Sequence, residues 1–192
     1  SQLAHAFALL SGAVPENLRS NFSAVLDDPE AMMPDYYLHF FVLRELVKTG
    51  HADAALERIR KYWRCSLETG DRTLCEIGIV DFGKKACWGA GSLCHGFTTA
   101  PVDFLQTTVL GIKPLQPGFA EFCVDIHCFE LEFARGRVPT PHGDITVDWR
   151  RMPDSNAVQL TLKIPVHTRA RLVDDRVFES GEHQIQLPML AM

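Results

Sequence analysis

Between residues 70 and 101 the chain gathers most of the side chains that could do chemistry. The segment reads GDRTLCEIGIVDFGKKACWGAGSLCHGFTTAP. Glu76 stands in T-L-C-E-I-G, flanked by Leu74, Cys75 and Ile77. A carboxylate in such company has its charged form disfavoured by desolvation, which moves it toward a useful general base or acid. His95 stands in S-L-C-H-G-F, beside a glycine that admits backbone or ligand to close range. Its imidazole can hydrogen-bond a hydroxyl group or a water. Trp88 and Phe97, each next to a glycine, offer ring faces for stacking. Structural roles compete with each of these. Glu76 could cap a helix or pair with Arg72, His95 could be a satisfied core histidine, and both rings could be core packing.

The elements on either side must position this segment. It has almost no helical period of its own, and a loop of that length inside a compact domain is usually functional or disordered. Its Cys, Phe, Trp and Ile content argues against disorder, so it reads as an ordered loop across the mouth of a helical domain. Upstream, a helix is expected over 2–11, with Leu3, Phe7 and Leu10 on one side and Gly12 ending it. A second follows Pro15 over 16–26 and stops at Asp27-Asp28-Pro29. A third over 36–50, capped by Asp35, is too apolar to lie on the surface. The fourth, over 52–68, carries Ala55, Ile59, Tyr62 and Trp63 on its inner stripe, and the short turn at Gly50 makes an αα-hairpin. A last helix over 102–110 is stopped by Gly111.

From 112 onward the period changes. Alternating runs such as FAEFCVDI, GDITVDWRRM, AVQLTLKIP and HQIQLP are separated by turn pairs, among them Pro117-Gly118, His142-Gly143 and Ser180-Gly181. Short strands at that spacing predict an antiparallel β-sandwich. Helices first and strands second make the class α+β, with a helical domain over 1–111 and a small sandwich over 112–192.

Composition narrows the function. The chain has 192 residues, 46% hydrophobic and 22% charged, and a net charge of −5. That charge, with signs mixed throughout, argues against a nucleic-acid partner. No run approaches a membrane span. Six cysteines without a CxxC pair predict buried free thiols rather than disulfides or zinc, so no metal and no cofactor is expected. The glycines of GAGSLCHG do not follow a strand in a βαβ unit, which disfavours a phosphate loop, and no Ser or Cys triad is visible. The opening SQLAHAFALLSG starts inside a helical pattern without Met, as expected of a piece of a longer protein. No compartment can be assigned from it.

The blocks QLAHAFALL, AALERIRKYW, GDRTLCE, SLCHGFTTAP, VLGIKPLQPGF and ARGRVPTPHGDITVDW together resemble the C-terminal part of bacterial α-L-rhamnosidases, over nearly the whole chain. That resemblance implies an inverting glycoside hydrolase with an (α/α)6-barrel catalytic domain followed by a small β-sandwich. Residues 1–111 would then be the C-terminal portion of the barrel and 112–192 the sandwich. Glu76 matches the family's Thr-x-x-Glu general base, and His95 matches the histidine its H-G-W motif supplies to the sugar. The family commonly has Trp where this chain has Cys75 and Phe97, so the subsite wall would be smaller and formed by Phe97 and Trp88. Inversion needs a general acid on the other side of the scissile bond, ~6.5–9.5 Å from the base. In the family that acid lies far upstream, so this chain would hold a base without its acid and be inactive alone. Its partners would be a rhamnoside and the N-terminal part of the same polypeptide. The alternatives are a non-catalytic carbohydrate-binding or structural module, or an (α/α)6 glycosidase of other sugar specificity.

Overall fold

The computed structural model describes residues 1–68, 72–74, 76, 92, 94–153 and 155–189, and of 65–68 the helical backbone alone. Two compact units divide between Val102 and Asp103, the first helical and the second built of strands. The class is α+β, as the change of period predicts.

In the first unit α1 (Gln2–Leu10) starts at Ser1, whose Oγ accepts the Ala4 N–H and satisfies one donor that a helix start leaves unpaired. A single 3-10 turn, Glu16–Leu18, precedes α2 (Arg19–Leu26); Leu18 at φ −108° separates the two, so the expected continuous helix from 16 is interrupted. Helix α3 (His39–Lys48) begins later than the apolar pattern suggests. Residues 36–38 form a turn instead, in which Asp35 Oδ1 accepts the Leu38 N–H at 3.0 Å and Asp35 O accepts the His39 N–H at 3.1 Å. Asp35 therefore caps as expected, but ahead of the helix. Helix α4 (Ala52–Glu68) has the expected bounds and packs on α3 through the turn at Gly50, which sits at φ +83°.

The buried face of α1 differs from the expected stripe. Gln2, Ala6 and Leu9 face inward, while Phe7 and Leu10 are 42% and 44% exposed. The reason is Arg58 of α4, a buried guanidinium that the apolar pattern hides. It donates to Gln2 Oε1 at 2.8 Å and to the Leu26 carbonyl, and pairs with Asp27 at 3.3 Å; Gln2 Nε2 donates to Asp28 O at 2.9 Å. Polar groups satisfied in this way can sit in an interior.

Helix α5 (Ala100–Phe104) continues into a π-helical turn, Leu105–Val109, closed by the Leu110 N–H donating to Leu105 O at 2.8 Å. An ordinary helix was expected here. Gly111, at φ +75°, ends it; a Cβ there would lie 2.5 Å from the Asp125 backbone, so only glycine fits. The second unit then forms two four-stranded sheets. One has the order β1 (Ile112–Pro114), β2 (Glu121–Val124), β6 (Arg169–Leu172), β7 (Val177–Phe178); the other β3 (Phe133–Thr140), β4 (Gly143–Arg151), β5 (Ala157–Ile164), β8 (Gly181–Pro188). In the second sheet Ala134, Trp149, Leu160 and Ile185 stand opposite one another in a row across all four strands. Trp149 is fully buried and donates its indole N–H to Val109 O at 2.8 Å. Each sheet buries one apolar face, as a two-layer domain requires.

One pairing departs from the antiparallel expectation: β2 and β6 run parallel, Glu121 opposite Arg169. The meander β3–β4–β5 lies between them in the chain, long enough to return β6 in the same direction as β2.

Candidate functional site

The site is assembled from two stretches of the 70–101 segment and the turn before α3. The Glu76 N–H donates to Ser92 O and the His95 N–H to Leu74 O, both at 2.8 Å, which holds the two stretches side by side. The Ser92 N–H in return donates to Glu76 Oε2 at 2.9 Å. That oxygen lies 3.9 Å from His95 Nδ1. Carboxylate and imidazole thus meet because the backbone beneath them is paired. The side chain of Glu76 is exposed rather than enclosed by apolar groups, the reverse of what its neighbours in sequence suggest. Among the described residues its carboxylate accepts a hydrogen bond from a backbone amide of the facing stretch.

Phe97 sits on a 3-10 turn, Gly96–Thr98, that opens at His95; the Thr98 hydroxyl donates to His95 O at 2.8 Å. From α4, the Trp63 indole N–H donates to Thr98 O at 2.8 Å and pins this turn to the helical core. Phe97 is 59% exposed, which excludes the core-packing role. Its ring meets His95 edge-on at 4.9 Å and faces Tyr37 at 4.6 Å, tilted 31°. Tyr37 is held through its neighbour. The Tyr36 ring lies 4.7 Å from Trp63 and its hydroxyl donates to the Tyr62 carbonyl. Trp63 therefore carries both halves of the aromatic wall.

Beneath the Asp35–Leu38 turn lies His39, buried among Tyr36, Tyr62 and Trp63. Its Nδ1 stands 2.8 Å from Asp35 O; a carbonyl can only accept, so the proton resides on Nδ1. Burial pushes its pKa below the ordinary histidine value, with the Asp35 carbonyl opposing the shift and the Arg58 charge adding to it.

Together Asp35, Tyr37, Glu76, His95 and Phe97, with Tyr36 and Thr98 behind them, line a cavity of about 260 Å³. The lining combines two carboxylates and an imidazole with aromatic rings. A small ligand with both hydroxylated and apolar edges suits such a lining. Of the residues selected from sequence, Glu76, His95 and Phe97 come together here, and Trp88 lies outside the described residues. Asp35 and Tyr37 were missed as lining residues. Their only signal, an Asp before two tyrosines and an apolar helix, is also that of a plain helix start.

The cysteine expectation needs one correction. Cys94 is exposed rather than buried, because Ser92 Oγ bonds both its N–H and its carbonyl and fixes a bend on the surface. Cys123 and Cys128 are half-buried, and burial pushes both thiols up. Among the described residues no three His, Cys, Asp or Glu side chains gather as metal ligands, and no helix is long and apolar enough to cross a membrane.

A helical unit followed by a two-sheet unit is a fold shared with solved α-L-rhamnosidases. The chain superposes with a TM-score of 0.78 on the Streptomyces avermitilis α-L-rhamnosidase complexed with L-rhamnose, at 20% identity, covering 97% of this chain and 21% of that one. With the native Aspergillus terreus enzyme the TM-score is 0.80 at 18% identity, covering 97% and 24%. Residues 111–186 match the family described as bacterial alpha-L-rhamnosidase C-terminal domain. A curated α-L-rhamnosidase of Alteromonas sp. (strain LOR) is 26% identical over an alignment of 189 residues, with 89% of this chain and 19% of the relative covered. The chain thus spans about a fifth of the length of the proteins it matches.

Proposed function

We propose that this chain is the C-terminal portion of a glycoside hydrolase that cleaves terminal α-L-rhamnosides with inversion, and that Glu76 is its general base. The observation that carries the reading is the Glu76 carboxylate at the cavity wall, anchored by the Ser92 N–H and 3.9 Å from His95. A carboxylate so placed can take a proton from a water attacking the anomeric carbon. His95 would bind a sugar hydroxyl, and Phe97, with Trp88, would wall the subsite. The general acid would come from the N-terminal part of the same polypeptide, ~6.5–9.5 Å from Glu76 across the sugar. Residues 1–111 would be the end of an (α/α)6 barrel and 112–192 its sandwich. The exposed apolar stripe of Phe7 and Leu10 on α1 supports that reading, since further barrel helices would cover it.

In the full-length polypeptide, Glu76→Gln should lower kcat on an aryl α-L-rhamnoside by at least ~10², the scale of general-base catalysis. The 192-residue chain alone should release no rhamnose. An unchanged rate in the variant would sink the base assignment, and turnover by the chain alone would sink the split site.

A further inference from the structure

The cavity contains an aromatic pair, and only one of its members has so far been given a role. Tyr37 is 47% exposed and Phe97 59%, unusual for two rings in contact at 4.6 Å unless something else is to cover them. Neither ring is loosely held. Tyr37 sits in a turn fixed three times through Asp35, by the Leu38 N–H on Oδ1 and by the His39 N–H and Nδ1–H on its carbonyl. Phe97 sits on the turn that Trp63 pins. The pair is a rigid wall beside Glu76.

The rhamnoside reading, on which this inference rests, says which part of a substrate meets that wall. In an inverting reaction the base lies on the face of the sugar opposite the leaving group. Side chains next to the base therefore touch the sugar being released, not the aglycone. A 6-deoxyhexose has hydroxyl groups along most of its rim and one bare edge, the C6 methyl. The lining carries both kinds of group, with Asp35, Glu76 and His95 to meet hydroxyls and the Tyr37–Phe97 pair, in contact at 4.6 Å, to meet an apolar edge.

We infer that Tyr37, with Phe97, is a specificity-determining residue that receives the C6 methyl and selects a 6-deoxy sugar against its 6-hydroxylated counterpart. A hydroxymethyl group set against two ring faces would be dehydrated without a partner in return. Apolar surfaces of this kind discriminate by roughly 10–200-fold.

The test compares kcat/KM of the full-length polypeptide on an aryl α-L-rhamnoside and the matching aryl α-L-mannoside, which differ only in the 6-hydroxyl. Tyr37→Ser should lower that ratio about tenfold, while Tyr37→Phe, which keeps the ring face, should preserve it. If Tyr37→Ser does not fold, Phe97→Ser reads the same wall. Saturation-transfer NMR with free L-rhamnose should show the methyl as the most strongly contacted group in the wild type and weakened in the serine variant. Equal losses on both glycosides mark a merely structural role and overturn the inference alone. A wild type that hydrolyses neither glycoside overturns the rhamnoside reading and this inference together, and the failure then appears before any substitution is made.

Discussion

The two units differ in the polar groups that their interiors hold. In the sheet unit the row Ala134, Trp149, Leu160 and Ile185 runs strand to strand around the fully buried Trp149. Its buried carboxylate, Glu121, is gripped by Arg169 at 2.6 Å and Arg171 at 2.8 Å. In the helical unit Gln2, His39 and Arg58 are buried while Phe7, Leu10, Tyr37 and Phe97 face outward. The helical unit thus adds, to an apolar core that includes Leu26, Val42 and Leu46, a set of hydrogen bonds made by buried polar side chains.

If that contrast is right, apolar truncation should hurt the sheet unit most. Trp149→Ala removes the largest fully buried side chain and leaves the Val109 carbonyl unpaired, so a loss of about 3–5 kcal/mol is expected in urea denaturation. A loss below 1 kcal/mol would show that the row is not the source of cohesion. The polar counterpart is Arg58→Met, which keeps the stem and strips Gln2 Oε1 and Leu26 O of their donor. Its expected cost is about 1–3 kcal/mol, and a neutral or stabilising result would refute the claim that these bonds hold the helices.

Acidity should separate the units by the smallest effect. His39 has a folded pKa below its ordinary value, so the unfolded chain takes up a proton first, near pH 6.5. Stability of the helical unit is therefore complete above that pH and declines as the pH falls through it, against the fixed charge of Arg58 and the facing Asp35. Glu121 is shifted by its bonds to Arg169 and Arg171, also downward, but for a carboxylate the consequence lies elsewhere. Its stabilisation is present above the ordinary carboxylate range, about pH 4.3, and is lost as the pH falls through the depressed value. Thermal melts between pH 7 and 5 should weaken in the wild type and flatten in His39→Gln; melts below pH 4 should respond to Glu121→Gln. A His39→Gln variant with the wild-type slope would remove His39 from the account.

The sheet unit was largely legible in its sequence because alternation and turn pairs are local signals. The strands from 133 to 164 and at 181–188 fall where the runs place them. The parallel β2–β6 contact was not legible, since no local pattern encodes which distant strand becomes a neighbour. In the helical unit, element positions were readable but not inward faces. Arg58 looks like a solvated charge until Gln2 and the Leu26 carbonyl are brought to it. The cavity was half legible. Glu76, His95 and Phe97 share one segment, whereas Asp35 and Tyr37 come from a turn distant in the chain, from which Tyr37 meets Phe97 at 4.6 Å.

The parallel pairing of β2 with β6 also predicts an order of assembly. Glu121 and Arg169 are 48 residues apart in the chain, and the β3–β4–β5 meander is nested between them. Contacts of short span form early, while those of long span must wait until the intervening chain is compact. The meander should thus zip first, and the sheet of β1, β2, β6 and β7 should close last. Until it does, Cys123 on β2 should stay open to thiol reagents, and its rate of labelling during refolding would report the closing of this sheet.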